Sequence, residues 1–236
     1  MTLATLPSTP SPALVPALPK RDTAARAHLD EVARRGAPLV LARDRVLEVP
    51  GPLSALLPGG ALQRGTVTTV DGERGAGVTS LALGLAAAAT AAGEWAVAVD
   101  LPGTLGGLAA REAGVELTRF AVVREVPGDR WAAVVAALLD GVSLVMADVP
   151  RGLRVADARR LVARARERST VLVMVGAGAR VWPADAALRL RAEGGAWTGL
   201  GSGRGVLAPR PLRLRVEGRG MPSAVRTVDG PLALTG

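Results

Sequence analysis

Short aliphatic runs alternate with helical patterns along the middle of this chain, and few folds accept that alternation. TVTTV (66–70), WAVAVD (95–100), FAVVRE (120–125), VSLVMADVP (142–150) and TVLVMV (170–175) read as strands. Between them lie TSLALGLAAAATAA (79–92), LGGLAAREAG (105–114), DRWAAVVAALLDG (129–141) and VADARRLVARARERS (155–169), which read as helices. Glycine closes the first three. Strands that alternate with helices of this length argue βαβ units, hence an α/β fold with a mostly parallel sheet flanked by helices. The core must be aliphatic, because the chain has one Phe and no Tyr although 49% of its residues are hydrophobic. Strands buried on both faces carry such runs.

After residue 186 the pattern changes. ALRLRAE (187–193) and PLRLRVEG (211–218) alternate apolar residues with charge. Leu188 and Leu190 face one way and Arg189 and Arg191 the other, while Leu212, Leu214 and Val216 oppose Arg213, Arg215 and Glu217. These are half-exposed strands, expected antiparallel at a sheet edge, with a glycine-rich link (194–205) between them. VRTVDG (225–230) adds a further strand. At the other end, residues 1–22 read as a disordered proline-rich leader and 23–50 as a helix with its connection, Asp22 or Thr23 capping the helix. LSALLPGGALQRG (53–65) reads as a loop with a Pro-Gly-Gly turn. The core is expected over 51–230, followed by a tail at 231–236.

Composition excludes several chemistries. There is no cysteine, so disulfides and thiolate metal sites are ruled out. His28 is the only histidine, which argues against Ser-His catalysis or a multi-histidine metal site; it is expected to be a surface or packing residue. No apolar run reaches the roughly 20 residues of a membrane span, and the N-terminus lacks a basic region before its apolar residues. A cytoplasmic protein without membrane contact is the expectation.

The stretch DGERGAGVTS (71–80) carries the most specific chemistry. Gly72 and Gly77 stand at the Gly-X4-Gly spacing, with Gly75 between them, a β-branched strand before and a helix after. That arrangement lets successive backbone N–H groups curl around phosphate at a helix N-terminus. Thr79 lies where a magnesium-binding hydroxyl belongs, Ser80 follows it, and Asp148 closes an aliphatic run like a Walker B acid. The lysine is missing: Val78 takes its place, and Lys20 is the only lysine in the chain. That lysine bridges the β- and γ-phosphates and stabilises charge as the bond breaks. Arg74 is the only nearby cation, and Glu73 adds negative charge where a nucleotide is negative. The expectation is a vestigial phosphate loop, with no catalytic residue, no resident cofactor and at most weak ATP and magnesium binding.

From residue 50 to 230 the chain resembles the RecA recombinase core. The run from LSALLPGG through the glycine loop to WAVAVD is similar to the RecA segment around its Walker A loop, VSLVMADVP to its Walker B strand, and the two arginine-bearing strands to the pair that finishes that core. Two departures stand together: Val78 at the lysine position, and Pro102 where RecA carries its catalytic glutamate after the second strand. The stretch GAGARVWPADA is also too short for a mobile DNA-binding loop of the RecA type. A shortened RecA-like chain with a degenerate loop, a proline-rich start and an arginine-rich end resembles the ImuA family, in particular its actinobacterial ImuA-prime form. That resemblance implies an accessory role in damage-induced mutagenesis and translesion synthesis. The implied partners are ImuB, an inactive Y-family polymerase relative, together with RecA and an error-prone C-family DNA polymerase. Some members are grouped with SulA-like division inhibitors, which leaves that role open beside a working ATPase and a DNA-binding module.

The C-terminal part offers an interaction surface. Residues 180–226 hold nine arginines against three acids, a net of +6 within a chain of +8. Arg180, Arg189, Arg191, Arg204, Arg213, Arg215 and Arg219 are candidates for contact with DNA phosphates or an acidic protein surface. Trp182 and Trp197, both expected in loops, are candidate anchors for a protein contact, with loop packing as the alternative. Trp95 and Trp131 begin core elements and are expected to be structural.

Overall fold

The computed structural model describes residues 45–194, 199–201, 204–205, 211–219 and 221–228. The expected leader, N-terminal helix and C-terminal tail lie outside these residues, as does Trp197. Twelve strands are described: β1 (Val46–Glu48), β2 (Ala61–Gln63), β3 (Val67–Gly72), β4 (Ala96–Val99), β5 (Phe120–Val123), β6 (Leu144–Asp148), β7 (Val171–Val175), β8 (Leu188–Glu193), β9 (Leu200–Gly201), β10 (Arg204–Gly205), β11 (Leu212–Gly218) and β12 (Ala224–Val228). The helices are α1 (Val78–Ala91), α2 (Gly107–Glu112), α3 (Trp131–Leu139) and α4 (Val155–Arg168).

Eight strands form one sheet in the order β12-β11-β8-β3-β7-β6-β4-β5. The six from β8 to β5 run parallel; β11 is antiparallel to β8 and to β12. The expected α/β architecture is therefore present, with one refinement: β8 belongs to the parallel set, and the antiparallel edge begins at β11. β1 pairs with β2, and β9 with β10, in separate two-stranded ribbons. The expected loop at 53–65 is instead a pair of 3-10 turns leading into β2.

Apolar layers cover both faces of the sheet. One layer packs around α1, whose residues from Leu81 to Thr90 are all buried. Small alanines let that helix sit close to the sheet, under Leu47, Leu53, Leu56 and Leu62 from the β1–β2 region. The other layer holds α3 and α4 against β4, β6 and β7. Helix α4 turns Ala158, Leu161 and Ala165 inward, and the half-buried Arg164 and exposed Arg168 pair with Asp140. Trp131 is fully buried as expected, whereas Trp95 is 49% exposed and does not serve the core. Among the described residues no α-helix of this second layer lies beyond β7, and β3, β8 and β11 present Asp71, Arg191 and Arg215 as a row across the sheet. No helix among the described residues is long and apolar enough to cross a membrane.

Candidate functional site

The chain leaves β3 toward β4 and leaves β8 toward β11, so connections depart in opposite directions at the carboxyl ends of two neighbouring parallel strands. Open α/β sheets bind ligands at such a switch point. The glycine loop sits there, between β3 and α1.

Each glycine of that loop answers a backbone demand. A Cβ on Gly72 would lie 2.5 Å from the Ala192 carbonyl oxygen and 3.0 Å from Val78 Cγ2. Gly75 and Gly77 take φ of +75° and +98°, and a Cβ on Gly77 would also meet Leu212 Cδ1 at 3.2 Å. The Gly-X4-Gly pattern is thus required by packing between β3, β8 and β11 and by the turn into α1, whether or not an anion binds. Val78 is the first residue of α1 and packs, partly buried, against the apolar layer around that helix. A lysine there would present its charge to the loop; valine places apolar surface in the core instead. Thr79 and Ser80 are exposed, and Arg74 and Glu73 lie exposed on the loop. Glu73 Oε2 lies near Gly194, at the end of β8.

The two acids at the ends of β4 and β6 are engaged elsewhere. Asp100 accepts the Thr104 N–H at 3.1 Å, the Leu105 N–H at 2.9 Å and Arg124 Nε at 3.1 Å, so it fixes the turn that contains Pro102. Burial pushes its carboxyl up, but the Leu105 N–H and Arg124 outweigh this and hold it below the usual range. Asp148 accepts the Leu101 N–H at 3.2 Å; no hydrogen bond joins it to Thr79 or Ser80. Burial, with the neighbouring Asp100 charge adding to it, raises Asp148 to about 6 despite the Leu101 N–H.

Unfolded Asp148 releases its proton near pH 4 while the folded form keeps it to about pH 6, so this group makes stability fall as pH rises through that window and costs a constant amount above it. Asp148→Asn keeps an acceptor for the Leu101 N–H and removes the charge. It is expected to stabilise the protein at neutral pH by about 1–2 kcal/mol, less than the full shift implies because water reaches and screens the half-buried carboxyl, and to flatten this dependence. Urea unfolding from pH 4 to 8 measures both effects; a loss of stability at neutral pH would contradict this account.

The arginine-bearing strands form a mixed charge lattice, not a bare basic patch. A cleft of about 590 Å³ on the open sheet face is lined by Arg180, Arg189, Arg191 and Arg215 and by Asp71, Glu73, Glu193 and Glu217. Arg215 reaches Glu193 at 2.8 Å, Arg213 approaches it at 4.0 Å, and Arg191 lies 3.9 Å from Asp71. Arg219 pairs with Asp185 at 3.1 Å. Burial raises Asp71 above its ordinary value although Arg191, Arg180 and Arg189 pull it down. Arg180 and Arg189 have no ion pair among the described residues. Arg204 opens β10, in the two-stranded ribbon with β9.

Trp182 is 4% exposed, belongs to the apolar layer around α3 and α4, and donates its indole N–H to the Asp185 carbonyl at 3.3 Å. Its ring is used in loop packing over the sheet and is not offered to a partner, which corrects its place among the expected anchors. Sequence reasoning counted Glu193 among the acids of the arginine-bearing segment but missed Asp71 as part of that face; the only signal was its position near the end of a strand that pairs with an arginine-bearing one.

A family model described as the MT3502 N-terminal domain matches residues 55–184, more than half of the 236-residue chain. No curated protein matches the chain.

Proposed function

We propose that this chain, which belongs to the MT3502 N-terminal domain family, is a RecA-like accessory protein of damage-induced mutagenesis that works through protein contacts and without efficient nucleotide hydrolysis. Its partner is an ImuB-like inactive polymerase relative, with RecA, an error-prone C-family polymerase and DNA as further contacts. One observation carries this reading: the phosphate-type loop stands at the sheet's switch point, but Val78 turns into the core where a cation should reach the phosphates. The adjacency of β8 and β11 supports the likeness to the strand pair that closes the RecA core. The interleaved carboxylates of the open face favour a partner with matched charges over non-specific DNA binding, which rests on uncompensated cations.

ATP binding and hydrolysis with magnesium, with and without single-stranded DNA, test this directly. Binding is expected to be weak at most, and hydrolysis is not expected, in the folded protein. Turnover that Asp148→Asn abolishes would make the chain an unusual ATPase and overturn the reading. Val78→Lys is a companion probe: gained nucleotide binding would demonstrate that the loop keeps a phosphate-compatible backbone.

A further inference from the structure

We propose that the cleft on the open sheet face is a site for a phosphate ester, in which Arg180 and Arg189 together hold one doubly charged phosphate group. The cleft encloses about 590 Å³, enough for a small phosphate ester or a phosphorylated side chain. It lies on the face opposite α1 and does not rest on the accessory role proposed above.

The charges in the cleft select the ligand. Its acids are already answered or distant. Glu193 pairs with Arg215 at 2.8 Å and has Arg213 at 4.0 Å. Arg191 stands 3.9 Å from Asp71, near enough to offset its charge although too far for a hydrogen bond. Glu217 lies across the ladder from Arg189 but accepts the Ser223 hydroxyl at 3.2 Å, and no ion pair joins it to Arg189. Glu73 sits at the Gly194 end, roughly 16 Å along the strand from Arg189.

The cations are not used up. Arg180, exposed on the 3-10 turn Ala177–Val181, and the half-buried Arg189 of β8 have no ion pair among the described residues. Burial raises the Asp71 carboxyl, and Arg191, Arg180 and Arg189 all pull it back down, so the three guanidinium groups converge on one place. Thr69 faces the same way as Asp71 and adjoins Arg189 in the ladder. It is fully buried, and its hydroxyl has no partner among the described residues, which sets a further donor beside Arg189. Two uncompensated guanidinium groups match a phosphate monoester, which carries about −1.5 to −2 charge at neutral pH. A single carboxylate would leave one of them unanswered. Each guanidinium fork can meet two phosphate oxygens at once. Nucleic acid fits poorly, because its run of phosphates would have to pass Glu73, Glu193 and Glu217.

Calorimetric titration of the full chain with inorganic phosphate, at ionic strength held constant with chloride, tests the proposal. Saturable binding at one site is expected. Arg180→Gln and Arg189→Gln remove side chains that hold no ion pair, so both should keep the circular dichroism of the wild type. Each is expected to weaken phosphate binding by about tenfold or more, and the two together to abolish it. Arg119→Gln removes the same charge from the turn before β5, at the far edge of the sheet, and should leave binding unchanged. Glycerol phosphate and a phosphoserine tripeptide distinguish the sources: the one that binds more tightly than inorganic phosphate identifies a free ester or a partner's side chain as the ligand. Four results would each overturn the proposal: no phosphate binding, acetate binding as tight as phosphate, binding that survives the double substitution, or an equal loss in Arg119→Gln.

Discussion

Truncating Trp131 to alanine is expected to cost about 3–5 kcal/mol, the range for removing a large buried aromatic side chain. Trp131 opens α3, is fully buried, and belongs to the layer that holds α3 and α4 on the sheet with Val135, Leu139, Val145 and Leu172. Its indole nitrogen is buried and finds no acceptor among the described residues. An orphaned donor costs about 1–3 kcal/mol, so Trp131→Phe gives up part of the ring but also removes that penalty. Its net change should be small. Urea unfolding at constant m-value separates the two variants. If alanine and phenylalanine cost the same, the pocket collapses around the smaller side chain and the ring is not what secures α3.

The second large effect is expected at Gly72. In Gly72→Val the new Cβ would lie 2.5 Å from a backbone carbonyl, that of Ala192, and 3.0 Å from the Ala192 and Val78 side chains. A backbone oxygen within a ladder cannot step aside as a flexible side chain can. β3 and β8 must separate, so the loss should reach or exceed the roughly 1–3 kcal/mol of ordinary overpacking. Gly128→Ala is the control, since nothing lies within 4 Å of its added Cβ, and it should change stability by no more than about 0.5 kcal/mol. Thermal unfolding of both variants without nucleotide is the measurement. A tolerated Gly72→Val would mean that the glycine is not required by the sheet and would return its explanation to anion binding.

The βαβ elements were readable because each strand between 66 and 175 is a continuous aliphatic run and each helix between them has a distinct composition. Their boundaries moved by at most two residues, as fraying ends do. The β1–β2 ribbon was not readable. Its strands have three residues each, too few for a period of two to show, and Leu53, Leu56 and Leu57 are buried from 3-10 turns and their flank, where no single period holds. The glycine loop was found in sequence, but not why its glycines are there: the neighbours of Gly72 and Gly77 come from β8 and β11, more than a hundred residues later. The net charge of the C-terminal region was correct as a count and misleading as a surface, because Asp71 reaches the arginine rows from β3. Trp182 read as a loop residue, and it is one. Only the fold shows that the loop lies flat enough on the sheet for the ring to be buried.

The position of β3 between β7 and β8 bears on how the chain comes off the ribosome. The family match ends at residue 184, before β8, β11 and β12 have been made. A nascent chain of that length would hold β3 as an open edge, with Leu188, Leu190 and Leu214 still missing from the layer over α1. The bond from Arg226 to Ala55 spans 171 residues, so the first turn of the core and the last strand meet only after synthesis is nearly complete. Contacts this distant in sequence slow folding. A fragment cut at the C-terminal boundary of the matched region would therefore leave half of the central strand's ladder unmade.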